Sequence, residues 1–115
     1  MHFDIIQNYC ISKPGVSESF PFDNVTLVWK IMGKMFCLCN VEEFNSLNLK
    51  CDPERAIELR EKHPQITPGY HMNKKLWNTV ILDGLSEKFV FELIDHSFNE
   101  VVRKLPKKIQ QSIIG

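Results

Sequence analysis

The run VTLVWKI-MGK-MFCLC, residues 25–39, constrains the fold more than any other stretch of this chain. Val25, Leu27, Trp29 and Ile31 alternate with Thr26, Val28 and Lys30, the period of a half-buried strand. Gly33 suits a tight turn, and MFCLC returns as a second strand. The chain therefore has to build an antiparallel hairpin and cover one of its faces. LNLKC reads as a third short strand with Leu47, Leu49 and Cys51 inward.

The remaining segments supply the cover. HFDIIQNYCIS places Phe3, Ile6 and Cys10 at helical spacing and stops before Pro14-Gly15. CDPERAIELREKH has a helix start: Asp52 caps, Pro53 takes the first position and Glu54 complements the dipole. Ala56, Leu59 and the stem of Arg60 are expected inward, and Pro64 ends the helix. LWNTVILD alternates again as a strand. SEKFVFELIDHSFNEVVRKL is the longest helix, capped by Ser86, with a stripe of Phe91, Ile94, Phe98, Val101 and Leu105. KKIQQSII, after Pro106, reads as a final short helix. KPGVSESFPFDN is expected as a structured loop anchored in the core by Phe20 and Phe22. The order is helix, three strands, helix, strand, helix. It predicts an α+β fold, a mainly antiparallel sheet with helices packed on one face, and residues 1–115 as one domain.

Charge narrows the function classes. Fourteen Lys and Arg balance fourteen Asp and Glu, so a globally basic nucleic-acid binder is not indicated. No apolar run approaches the ~18 residues of a membrane span, and MHFDIIQNYC lacks the basic lead of a secretory signal. A soluble, cytoplasmic monomer with no membrane partner is expected. Cys37 and Cys39 fall on one face of one strand, where a direct bridge would be strained. With Cys10 and Cys51 they are read as reduced core thiols.

Four stretches in order, PGVSESFPFDNVTLVWKIMGKMFCL, NLKCDPERAIELRE, PGYHMNKKLWNTV and LIDHSFNEVVRKLPKK, together resemble the MmcQ/YjbR family of small bacterial proteins. The resemblance runs from about Ile6 to Lys108. It implies a CyaY-like fold with an antiparallel sheet covered by helices. It also implies the "double wing" arrangement and the DNA-binding label the family commonly carries. It transfers no catalytic residues. Frataxins share the CyaY-like fold and bind iron through an acidic helix and strand edge. The first helix here holds one carboxylate, Asp4, so iron binding is not expected.

The candidate sites follow from residue type. Tyr70, His71, Asn73, Lys74, Lys75, Trp77 and Asn78 crowd one stretch. Lys74 and Lys75 could neutralise phosphates while Tyr70 or Trp77 stacks on a base. The plainer reading is a loop tied by His71 and Asn73, with Trp77 under a helix and the lysines solvated. Lys30 and Lys34 flank the hairpin tip, where lysines also protect an edge. Arg103, Lys104, Lys107 and Lys108 form a basic tail, of which Arg103 and Lys104 also suit a helix C-terminus. His96, between Glu92 and Glu100, reads as a surface histidine in helical charge pairs. Cys51 before Asp52 suggests a thiolate near a helix N-terminus, with no base identified by spacing. The C-x-C spacing does not match a structural zinc site, and there is no phosphate-cradling glycine loop. No cofactor and no metal are expected.

The resulting expectation is a non-enzymatic binding protein that contacts DNA through a local basic surface. The alternative is a protein-interaction or small-ligand module using the Tyr70 to Asn78 stretch. A basic stripe favours the first, and a concave cleft at that stretch favours the second.

Overall fold

The computed structural model describes residues 1–70 and 72–114. The elements are α1 (Phe3–Ile11), β1 (Val16–Ser19), β2 (Thr26–Ile31), β3 (Lys34–Asn40), β4 (Ser46–Lys50), α2 (Pro53–Lys62), β5 (Ile66–Pro68), β6 (Trp77–Ile81), α3 (Glu87–Val102) and α4 (Lys107–Ile114). Six strands form one sheet in the order β1-β2-β3-β4-β6-β5, and every neighbouring pair is antiparallel. The fold is α+β, as the periodicity predicts.

Alternation divides the sheet into two faces. Leu27, Trp29, Ile31, Cys37, Cys39, Leu47, Leu49 and Val80 meet Ile6 and Cys10 of α1, Ala56 and Leu59 of α2, and Val90, Ile94, Phe98 and Val101 of α3 in the main core. Trp29 and Phe36 are the largest fully buried side chains there. Burying such a side chain contributes roughly 1.5–3 kcal/mol. Among the described residues no helix covers the opposite face, which carries a small cluster of Val28, Leu38 and Trp77.

The hairpin turns through Met32 and Gly33, both at positive φ (49° and 76°), with Ile31 paired to Lys34. A two-residue turn of that hand matches the twist of the flanking strands. A bulge follows. Trp29 pairs with Cys37 and Lys30 with Met35, so Phe36 is the extra residue. The bulge puts Phe36 in the main core beside Cys37, where its ring meets that of Phe98 edge-on at 5.4 Å. Ser97 of α3 donates its hydroxyl to the Phe36 carbonyl and accepts the Lys50 N–H at 2.8 Å. One buried hydroxyl thereby pins the longest helix to two strands.

Both expected caps form. Asp52 Oδ2 accepts from Arg55 N–H, and Ser86 Oγ accepts from Phe89 N–H, each at 3.1 Å. Three expectations fail. Two strands rather than one lie between α2 and α3, because residues 66–68 become β5 by pairing with β6. VSES is an edge strand rather than loop, because its extended form comes from pairing with β2. Phe20 and Phe22 are not core anchors but are 47% and 65% exposed. Their loop is held by hydrogen bonds instead: Asp23 Oδ1 accepts from the backbone of Val25 (3.0 Å) and Thr26 (2.7 Å). All four cysteines are free and buried.

Candidate functional site

Residues 72–77 fold over the helix-free face of the sheet, with Gly69 against the start of β6. Gly69 packs so closely on β6 that an added Cβ would lie 2.8 Å from Trp77 Cβ, and its N–H donates to the Trp77 carbonyl at 2.8 Å. Asn73 organises the turn. Its carbonyl accepts from Leu76 and Trp77 N–H at 3.1 and 2.9 Å, and its Oδ1 accepts from Lys75 N–H at 3.0 Å. Met72 and Leu76 then pack on the Val28, Leu38 and Trp77 cluster.

Trp77 does not lie under a helix. The pairing of Lys50 with Trp77 and of Leu49 with Asn78 turns Trp77 to the open face and buries Asn78 on the helix side. Arg60 of α2 supports the loop from that side. Its Nε donates to Asn78 Oδ1 at 2.8 Å, and its Nη2 donates to the carbonyls of Trp77 (3.3 Å) and Lys74. Arg60 is a structural partner that the sequence offered only as an inward-facing stem. His71 lies outside the described residues.

Between this loop and the Phe22–Asp23 turn, the open face forms a groove of about 650 Å³. Its apolar lining is Phe22, Met35, Leu38, Tyr70 and Met72, and its polar lining includes Asp23, Thr26, Asn40, Asn48 and Asn73. A second concavity of about 470 Å³ continues towards Ser46 and Thr79 and shares Asn40, Asn48 and Tyr70 with the first. Tyr70 is 72% exposed at the junction.

Three asparagines of the lining have their side-chain oxygens engaged by the protein. Asn40 Oδ1 accepts from Glu42 and Glu43 N–H, both at 2.9 Å. Asn48 Oδ1 accepts the Thr79 hydroxyl at 2.6 Å, and that hydroxyl oxygen in turn accepts Tyr70 N–H at 3.0 Å. Asn73 Oδ1 holds Lys75 N–H. With each oxygen engaged by the protein, each carboxamide keeps its NH₂ group as its remaining donor. Asp23 keeps its charge, because the backbone donors of Val25 and Thr26 hold its carboxyl below the usual range. Asn40 and Asn48 were not singled out from sequence, although asparagine inside a strand is an unfavourable choice that signals a special position.

The basic candidates separate. Lys74 and Lys75 are exposed and line neither concavity. Lys30 points to the open face, whereas Lys34, paired with Ile31, lies on the helix side. Arg103 is occupied by Glu100, with Nε to Oε2 at 2.6 Å and Nη2 to Oε1 at 2.9 Å. Lys107 and Lys108 are exposed at the start of α4.

His96 is not a surface charge partner. Its Nε2 accepts the Asp52 backbone N–H at 3.1 Å, tying α3 to the start of α2. Burial pushes the Cys39 thiol up to about 12 and the Cys51 thiol up to about 11. Cys37 is raised by the same cause. None of these three has the lowered pKa of a nucleophilic thiolate. Among the described residues no group of three or more His, Cys, Asp or Glu converges to hold a metal ion, and no helix is long and apolar enough to cross a membrane.

The family model described as YjbR matches residues 11–100. The chain belongs to the YjbR family. It is 33% identical over 108 residues to Uncharacterized protein YjbR of Escherichia coli K12, covering 92% of each chain. It is 38% identical over 105 residues to Uncharacterized protein YbdF of Escherichia coli O157:H7, covering 90% of this chain and 86% of that one. Among solved structures it is similar to Deinococcus radiodurans protein DR2400, a DUF419 domain, with TM-score 0.88 and 41% identity over 96% of this chain and 86% of that one. A Pseudomonas syringae protein matches with TM-score 0.73 and 28% identity, covering 87% of this chain and 98% of that one. YjbR membership accounts for the architecture, and the chemistry has to be argued from the side chains.

Proposed function

We propose that the protein is a non-enzymatic binding module. Its ligand is a small uncharged molecule with an apolar body and several hydrogen-bond acceptors, seated in the groove beside Tyr70 and Asn73. The observation that carries this reading is that Asn40, Asn48 and Asn73 line one groove with their side-chain oxygens all engaged by the protein. Each oxygen already accepts a hydrogen bond from the protein, which leaves an NH₂ donor on each of three side chains that line one groove. Phe22, Tyr70, Leu38 and the two methionines offer the apolar contact that a ligand body needs. Asp23, the one charged side chain among the described residues of the lining, disfavours an anion there. The reading has the module act in the cytoplasm, which the four free, buried thiols favour.

DNA contact at the same stretch has weaker support. It rests on Lys74 and Lys75, which stand outside the groove, and on a chain of zero formal charge.

The test is an NMR-monitored screen of uncharged, acceptor-rich small molecules, with amide shifts mapped on the chain. Hits should perturb Leu38, Asn48, Tyr70 and Asn73 together. Tyr70→Ala and Asn48→Ala should each weaken them about five- to ten-fold, the worth of one stacked ring or one hydrogen bond. Hits mapping elsewhere would sink the groove reading. A duplex DNA arm over a salt series decides the rival: salt-sensitive binding lost in Lys74→Glu/Lys75→Glu would restore it.

A further inference from the structure

The end of the sheet beside the hairpin turn carries a third concavity, remote in character from the groove. It measures about 270 Å³ and is lined by Lys34, Lys50, Val101, Lys104 and Leu105. Its three lysines come from three elements: Lys34 opens β3, Lys50 closes β4, and Lys104 follows α3. Lys50 is fixed from behind, since Ser97 Oγ accepts its N–H at 2.8 Å.

Cations held together need a reason, and two plain ones do not apply. The first is pairing with acids. Among the described residues the only ion pairs are Lys13–Asp95 and Arg103–Glu100. Glu100, the acid beside this cluster, has both oxygens engaged by Arg103. The second is closing the end of α3. The carbonyls of Asn99, Val101 and Val102 already accept from the backbone N–H groups of Arg103, Lys104 and Leu105, and Gln110 Nε2 donates to the carbonyls of Arg103 and Leu105. The three lysines are left lining one concavity without an ion pair of their own among the described residues. Lys50 registers this: burial first, then Lys104, pull its ammonium below the usual lysine range, and Lys34 and Arg103 add to the effect, while the nearby Glu100 carboxylate opposes it without reversing it. Like charges that repel one another attract an anion that bridges them.

We propose that this concavity binds a phosphate group, held by the ammonium groups of Lys34, Lys50 and Lys104, with Val101 and Leu105 as an apolar wall for whatever carries it. A terminal phosphate of charge about −1.5 to −2 suits three cations better than a singly charged backbone diester. The proposal is independent of the groove.

The probe is inorganic phosphate, titrated at constant ionic strength against chloride and followed by amide shifts. Saturable changes confined to Lys34, Lys50 and residues 101–105 are expected. Lys50→Gln and Lys104→Gln should each weaken binding about ten-fold, the loss of one charge-assisted contact. Lys75→Gln should leave it unchanged. Without phosphate, Lys50→Gln should melt no lower than the parent, because it relieves repulsion; a lower melting temperature would mark Lys50 as structural and overturn the assignment. Shifts reproduced by chloride, or spread over Lys74, Lys75 and Lys107, would also overturn it. A small phosphate monoester and a duplex DNA, run as competitors, identify the source. Displacement of phosphate by the monoester alone marks a small-molecule site. Displacement by the duplex marks a backbone contact. Displacement by neither is a further refutation.

Discussion

Arg60 reaches from α2 beneath the loop and donates Nε–H to the buried Asn78 oxygen at 2.8 Å, while its Nη2 holds the carbonyls of Lys74 and Trp77. One planar fork thus ties a helix, a strand and the loop that walls the groove. Arg60→Ala leaves the Asn78 oxygen buried without that donor, and a cost of about 2–3 kcal/mol is expected in urea unfolding. Arg60→Lys should recover only part, because an ammonium cannot reproduce the fork. A loss below the error of the measurement for the alanine variant would show that the loop stands on Asn73 and Gly69 alone.

The link between His96 and Asp52 predicts a pH dependence. An imidazole nitrogen that accepts a backbone N–H is neutral. Burial, then the Arg55 guanidinium, hold His96 below its ordinary value of 6.5. The folded-state pKa therefore lies under the unfolded one, and the unfolded chain takes up the proton first. The contribution is fully present above about pH 6.5 and is lost as pH falls towards the folded value. Urea midpoints on either side of pH 6.5 should show this loss, and His96→Gln should flatten it. Equal acid sensitivity in parent and variant would assign the effect to other groups.

The thiols should be inert in the native state. All four are buried, and burial raises Cys37, Cys39 and Cys51. A chromogenic disulfide reagent at mildly alkaline pH should react with none of them on the timescale on which it titrates all four in denaturant. One fast native equivalent would revive Cys51 as a nucleophile.

Much of this architecture can be read from period and punctuation. The hairpin, the Asp52 and Ser86 caps and the Ile94, Phe98 and Val101 part of the α3 stripe follow local rules that the folded chain obeys, whereas Leu105 lies beyond the end of the helix. What escapes is set by partners. Residues 16–19 become a strand because β2 lies beside them, and no apolar alternation marks them. Phe22 reads as a core residue because large aromatics usually are; the polar Asp23 turn makes its burial unnecessary. At the groove, Tyr70 and Asn73 stand out by density, whereas Asn40 and Asn48 join them only through strand register. Lys34, Lys50 and Lys104 are far apart in sequence, and no spacing rule joins them. Only the meeting of the hairpin turn with the end of α3 does.

The two flanking strands have a consequence for life at high concentration. β1 is four residues of mostly polar composition, and β5 is three residues ending in Pro68, which has no N–H to offer. Both margins of the sheet are therefore poor templates for another chain's backbone. In a crowded solution, copies of this molecule cannot readily lengthen one another's sheets. Any assembly they enter has to be chosen by side chains, one surface recognising another.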